Sequence, residues 1–477
     1  MFTAYFPELH EMTTRVLRAS RAYGRGETSP EDLASHQLHE LKATLRYTRE
    51  RSPFYRQKLA RCDDAFIESL SIESFEQLPF TTKADLREQM GEMLSRPLDE
   101  CCFFYETTGT TGAATPCPRD YVDIIHSNVA VTSCLETILK RGETRHFVGI
   151  CGPTELHSFG DTLGDVCRNL GLAMAKFWAY SPVIGLKKAV ETLGELGITA
   201  LICTPGMALT MAKVASELGR DLKRDFGLKV LLLTGELGSP AMMKNLESLW
   251  GARAYNFLYG AQETLVLATT VHSGKMHTFP LNYYYEVIDP ETGKVVPAKG
   301  GVRFGELVVT MLFQGSKPMV RYRTGDVVRL RDAAVDDQMR APVVEVLGRV
   351  RDSLLLNGKP IQGYDLEELL MKHVSESLGY QITISNDGAD RLAIQLEMLD
   401  GGARPDYARA IAAAFDGRLG IRAEVTFGPL GSIGSTGALV SWKAARIVDT
   451  REAVDAEQLT ARKIAAARDS LLRTVAP

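Results

Sequence analysis

Residues 103–120 read FFYETTGTTGAATPCPRD, and the eleven positions from Glu106 to Pro116 hold five threonines and two glycines, with no cationic side chain before Arg119. Hydroxyls beside flexible glycine backbone are the material of a nest whose N–H groups close around phosphate oxygens. Taken alone the stretch is as much a Thr/Gly-rich hairpin, since it does not follow the G-x-x-x-x-G-K-[ST] pattern. Three charged residues further along stand in short motifs that suit chemistry: Glu263 in YGAQE, Asp326 in YRTGD and Lys443 in SWKAARIVD. Each also has a plain structural reading, as a helix cap, a turn-closing acid and a solvated surface lysine.

The elements that must position these residues follow from hydrophobic spacing. Leu38, Leu41 and Leu45 recur at helical intervals, and TTKADL from Thr81 sets a capping hydroxyl before another helix, so the first hundred residues form a helical entry. From Thr199 short apolar runs, TALICTP, KVLLLTGE and AYNFLYGAQE, alternate with helix-like segments such as Met207 to Leu218. That alternation predicts an α/β sheet, whose ligands sit where loops leave the carboxyl ends of strands, after Leu233 and Leu258. YYYEVID and GELVVTMLF then predict a small β-rich subregion leading into RYRTGD. Beyond Gly348 the order α-β-β-α-β makes a compact α+β unit, and Ile464, Ala467, Leu471 and Val475 space a terminal helix for packing on the body or on a partner subunit, which leaves a homodimer open.

Composition limits the partners. The chain of 477 residues calls for more than one domain, and 45% hydrophobic residues, 24% charged residues and a net charge of −4 speak against disorder and against a nucleic-acid binder. No apolar run suggests a membrane span and the first residues lack the order of a secretion signal, so the expectation is a cytoplasmic protein with no membrane partner. The eight cysteines form no C-x-x-C pair and have no histidine at a finger spacing, which favours reduced, mostly buried thiols.

RSPFYRQKL at Arg51, LPFTTKADLRE at Leu78, TTGTTG at Thr107, TGE at Thr234, YGAQE at Tyr259, YRTGDVVRL at Tyr322, LGRVRDSLLLNGKPI at Leu347 and SWKAARIVD at Ser441 follow one another in a fixed order. Together they resemble the phenylacetate–CoA ligase branch of the acyl-adenylate-forming (AMP-dependent) synthetases, from about Leu38 to Arg451. The resemblance implies an α/β protein with an adenylation domain over residues 1–348 and a small mobile α+β domain over 349–477. It implies an ATP-dependent, AMP-forming carboxylate ligase: a carboxylate attacks the α-phosphate of ATP, pyrophosphate leaves, and the acyl-adenylate is passed to an acceptor. Positioning and charge neutralisation are what such chemistry asks of the protein.

The same resemblance assigns residues. Thr107, Thr108, Gly109, Thr110 and Thr111 match the loop around the β- and γ-phosphates; Gly235 and Glu236 border the adenine and acyl pockets; Tyr259 stacks on adenine, Gln262 faces the α-phosphate and Glu263 helps hold Mg²⁺. Asp326 takes the ribose hydroxyls, Arg349 lies near ribose and phosphate, Arg351 is the hinge, and Lys443 is the catalytic lysine of the mobile domain. The chain departs from the family at Ala113, where a loop lysine is usual, and at Gln262, where a small residue is usual. His272 and His277 lack the cysteines of the structural zinc site found in some relatives, so no zinc is expected.

His157, Phe159 and Trp178 are candidates for the acyl pocket and would suit an aromatic or cyclic acid; all three also read as core, His157 as a satisfied structural histidine. CoA thiol is the acceptor the resemblance favours. An amine, giving an amide ligase, a carrier-protein thiol, and a non-catalytic nucleotide or acyl sensor are the alternatives.

Overall fold

The computed structural model describes residues 6–107, 114–140, 142, 144–334, 337, 339–433 and 446–451. Thr108, Gly109, Thr110, Thr111, Ala113, Lys443 and the terminal helix expected near Ile464 lie outside the described residues.

The helical entry opens with Pro7–Gly24 and Pro30–Arg51, each with proline at its start. Ser29 caps the second by accepting from Asp32 N, which satisfies one of the N–H groups that a helix start leaves free. Shorter helices follow, ending the region at Met93.

One eleven-stranded sheet carries the chemistry-bearing loops. Its order is Tyr283–Ile288, Val302–Met311, Tyr322–Arg331, Val343–Arg349, Met276–Thr278, Leu265–Thr270, Arg253–Ala261, Val230–Thr234, Ala200–Cys203, Phe147–Cys151 and Ala173–Phe177. The last five are mutually parallel and the rest are antiparallel. The β-rich stretch expected around 283–311 is thus the antiparallel end of this sheet. Side chains alternate across the parallel part: Ile202 and Leu232 enter one apolar core, Leu201, Leu231 and Leu233 the other. Continuous apolar runs are what a strand buried on both faces requires.

A separate four-stranded sheet, Ala423–Gly428, Asp390–Met398, Ser377–Asn386 and Ile447–Asp449, packs with helices Gly363–Met371 and Pro405–Leu419. Its apolar residues join the second core, and polar ties cross to the main body. Glu367 and Glu368 accept from Ser239 N and Ala241 N at 2.8 Å, placing two carboxylates at the start of helix Pro240–Trp250, where the helix dipole favours them. Asn245 and Ser377 exchange two bonds of 2.8 Å, and Lys213 pairs with the buried Glu397. All eight cysteines are free thiols, six of them buried, and no described helix is long and apolar enough to cross a membrane.

Candidate active site

Three motifs far apart in the chain form one strut. Thr81 N donates to Arg321 O at 3.0 Å, Arg323 N donates to Thr81 O at 2.9 Å, and the Thr81 hydroxyl donates to Val320 O at 2.7 Å. The Tyr55 hydroxyl bonds Thr81 Oγ1 at 3.0 Å and accepts from Val320 N at 3.0 Å. Arg321, fully buried, pairs with Glu286 at 2.7 Å and lies 4.2 Å from the centre of the Phe80 ring. RSPFYRQKL, LPFTTKADLRE and YRTGD therefore occur together because each supplies one part of a buried joint. The joint also sets Lys83, the first residue of helix Lys83–Glu88, with its ammonium 2.7 Å from Glu263 Oε1.

Glu263 is 4% exposed. Burial pushes its carboxyl up, but Lys83, together with the Glu263 backbone N–H and the charge of Lys317, outweighs burial and holds it below the usual carboxylate range. Lys317, also buried, donates from Nζ to Glu263 O at 2.6 Å, and Arg119 Nη2 donates to Gln262 O at 3.3 Å and to Gln262 Oε1 at 3.0 Å. The turn exists because the strand before it approaches its partner closely: a Cβ on Gly260 would meet Leu265 O at 2.3 Å.

On the other side of Glu263, strands Tyr322–Arg331 and Val343–Arg349 pair Asp326 directly with Arg349. Neighbours in register share a face, and Arg349 Nε stands 3.6 Å from Asp326 Oδ1 while the Tyr259 hydroxyl donates to Asp326 Oδ2 at 2.8 Å. Burial raises the Asp326 carboxyl above its usual value despite Arg349 and Tyr259, and Glu263 and Lys83 are close enough to act on it electrostatically. Tyr259, Gln262, Glu263, Asp326 and Arg349 are thus one cluster, drawn from the end of strand Arg253–Ala261 and the turn after it, the middle of Tyr322–Arg331 and the last residue of Val343–Arg349. Val350–Asp352 is a single helical turn that leaves this cluster for the second sheet, with Arg351 in its middle.

The TGE turn lies beside the cluster. Gly235 takes φ +82°, a backbone conformation that favours glycine, and Glu236 Oε2 accepts from Gly206 N at 2.9 Å. Glu236 Oε1 is buried without a hydrogen bond, and burial pushes the carboxyl up to about 7 although the charge of Arg446 pulls it down. Arg446 reaches this point from the C-terminal segment, with its guanidinium 5.0 Å from the centre of the Tyr380 ring.

Strands Phe103–Glu106 and Pro116–Arg119, which flank the Thr/Gly stretch in the chain, pair as an antiparallel hairpin. Thr107 closes its neck: Thr107 N donates to Thr115 O at 3.0 Å and Thr115 N to Thr107 Oγ1 at 2.9 Å. Arg87 Nε donates to Thr115 Oγ1 at 3.2 Å. Among the acyl-pocket candidates, His157 and Phe159 lie together, ring centres 6.5 Å apart, with Phe159 N donating to His157 Nδ1 at 3.1 Å. That bond leaves the imidazole proton on Nε2, and burial with the nearby Arg119 charge pushes the ring down to about 4, so it is neutral at physiological pH. Trp178 sits in the second core against Tyr180, and no described contact joins it to His157 or Phe159.

No family model matches the chain. It is 26% identical over 423 residues to the phenylacetate-coenzyme A ligase of Pseudomonas putida, covering 85% of this chain and 93% of that one. It is 27% identical over 393 residues to the phenylacetate-coenzyme A ligase of Thermus thermophilus, covering 78% and 83%. Over most of its length the chain is similar to phenylacetate–CoA ligases. The fold is shared with 2-hydroxyisobutyryl-CoA ligase, whose postadenylation-state crystal structure with 2-HIB-AMP matches at a TM-score of 0.74, with 23% identity over 94% of this chain and 93% of the other.

Lys83, Lys317, Arg119 and Arg446 were not singled out in the sequence as site residues. Lys83 stands in TTKADL, where its visible signal was only the start of a helix. Lys317 and Arg119 carried one signal, that each is a charge among apolar or proline neighbours, SKPMV and PCPRD.

Proposed function

We propose that the protein is an ATP-dependent ligase that converts a carboxylic acid to its acyl-adenylate with release of pyrophosphate and passes the acyl group to CoA. The observation that carries this is the convergence of Glu263 with its lysine and Asp326 with its arginine and tyrosine at one end of the sheet, in a chain homologous to phenylacetate–CoA ligases. Asp326 is a fixed acceptor suited to two ribose hydroxyls, and Tyr259, held by the same carboxylate, offers its ring to adenine. Gly235 and Glu236 border that pocket, and Arg349 stands by ribose and phosphate. Thr107 and the residues 108–111 after it surround the β- and γ-phosphates.

A magnesium ion fits this donor set. Among the described residues no three His, Cys, Asp or Glu side chains cluster, as is usual for an ion carried by phosphates and held by one carboxylate and water. Glu263 would hold it, and the bound ion would neutralise charge on the phosphates. Lys83 supplies a cation beside Glu263 and is our candidate for the charge that Ala113 lacks. Lys443 bridges the substrate carboxylate and the α-phosphate, delivered by a mobile domain that begins at residue 349 and pivots at Arg351. His157 and Phe159 line the acyl pocket and suit an aromatic or cyclic acid. The His157 Nε2–H is a neutral donor there.

ATP–pyrophosphate exchange over a panel of carboxylic acids tests the reading: exchange with at least one acid is expected, and tight ATP binding with no exchange under any acid defeats it. Adding CoA or amines to an exchanging reaction and weighing the product identifies the acceptor, with a CoA thioester expected.

A further inference from the structure

Arg119 is a buried cation without a counter-ion. It is 4% exposed, and no carboxylate lies within ion-pair distance of it among the described residues. The two acids nearest in sequence are engaged elsewhere. Asp120 pairs with Arg96 at 3.2 Å, while Asp123 accepts from Asp120 N, Ser316 N and the Ser316 hydroxyl. Arg119 Nε is buried with no hydrogen-bond partner, and its guanidinium rests 5.0 Å from the centre of the Tyr105 ring. A charge so placed costs several kcal/mol unless something compensates it.

Among the described residues its side-chain hydrogen bonds go to one residue, through Nη2 to both oxygens of Gln262, the peptide carbonyl and Oε1. A guanidinium has donors and no acceptor, so the side-chain atom facing it must be the amide oxygen. The Gln262 NH₂ group is therefore turned away from Arg119, and it makes no hydrogen bond to a described residue. Lys317 holds the next carbonyl, that of Glu263, in the same manner. The turn rests on two buried cations that grip its oxygens and leave the Gln262 NH₂ without a partner among the described residues.

We propose that Arg119 is a positioning residue for the adenylation step: it locks Gln262 in the one orientation that presents the amide NH₂ to the oxygen anion formed where carboxylate and α-phosphate meet. The unpaired guanidinium charge, one peptide away from Glu263, adds to the attraction for that anion. This rests on the adenylation reading of the site. It accounts jointly for two features, an amide held by its oxygen in the turn and a buried arginine with no carboxylate in ion-pair distance among the described residues. The free amide is a donor aimed before the reaction starts, which is where fixed dipoles lower a barrier most effectively.

A double-mutant cycle tests it. Arg119→Met should lower kcat for ATP–pyrophosphate exchange by about 10- to 100-fold, as expected for misplacing one group at a reacting centre, with the KM for ATP within about twofold. In a Gln262→Ser background the same Arg119→Met change should cost less than about twofold, because Arg119 then has no amide to orient. Arg119→Lys, which keeps the charge but not the two-point grip, should recover only part of the loss. Multiplying losses in the double variant, or a loss confined to the KM for ATP or for the acid, would overturn the proposal in favour of direct binding by Arg119. A crystal structure of Arg119→Met gives an answer independent of turnover. Gln262 should lose its single orientation, and an unchanged Gln262 refutes the positioning role even if no acid supports exchange. Melting temperatures identify any variant that fails to fold.

Discussion

The two sides of Glu263 handle charge in opposite ways. Toward the strand pair 322–331 and 343–349, Asp326 has its arginine and its tyrosine, so the carboxylate is balanced before any ligand arrives. Toward the hairpin 103–119, Arg119 and Lys317 are buried with carbonyl and amide oxygens for company and no carboxylate within ion-pair distance among the described residues. On the proposed function the balanced side suits neutral groups such as ribose hydroxyls, and the unbalanced cationic side suits the anions of a polyphosphate meeting a carboxylate. Lys83 links the two by pairing with Glu263 between them.

The largest expected effect comes from breaking that link at its acid. Glu263→Gln leaves Lys83 without its partner and removes the candidate metal carboxylate, and should lower exchange by about 100- to 1,000-fold at saturating substrates. Unbalancing the balanced side should instead appear in binding. Asp326→Asn keeps an acceptor for Tyr259 but strands Arg349, and should weaken ATP by about 10- to 100-fold in calorimetry, in line with loss of charge-assisted hydrogen bonds.

Lys83→Met should cost about tenfold in exchange and change its pH dependence. Lys83 does most to hold the Glu263 carboxyl down against burial, so without it the carboxyl titrates higher and the acid limb of the pH–rate profile moves to higher pH. If the limb stays in place, Lys83 is not the partner that sets Glu263. Ala113→Lys should change the KM for ATP less than about threefold in the wild-type background, since Lys83 and Lys317 already supply positive charge around Glu263, yet recover part of the Lys83→Met defect.

The smallest effect concerns stability. Glu236 has its carboxyl raised by burial to about 7, so its folded form prefers the proton. That preference stabilises the fold fully below the ordinary carboxylate range and is lost as pH rises through about 7. Glu236→Gln, which does not titrate, should melt at a higher temperature than wild type at pH 8, with the gap closing toward pH 5.

Much of this was legible in the residues. Alternating apolar runs announced the parallel strands ending at Thr234 and Ala261, and the ordered motifs pointed to Glu263, Asp326 and Arg349 as one site. Lys83 was not legible as part of it, because its place depends on Thr81 bridging to Arg321 and Arg323, a contact between segments that no local spacing encodes. Arg446 escaped for the same reason, reaching Glu236 only once the second sheet docks on the main body. Trp178, grouped in the sequence with His157 and Phe159, packs on Tyr180 in the second core, and an aromatic residue after a strand looks the same whether it faces a ligand or a core.

The sequence by itself determined which residues can do chemistry and in what order they occur, since those follow from side-chain type and from the periods of helix and strand. Tertiary structure alone decided which charges are balanced. Whether Asp326 meets Arg349, whether Lys83 meets Glu263 and whether Arg119 meets any acid depends on strand register and on helices packed from distant parts of the chain. Coulomb energy in a buried site depends on a few ångströms of separation and on exclusion of water, and neither quantity exists until the chain has folded.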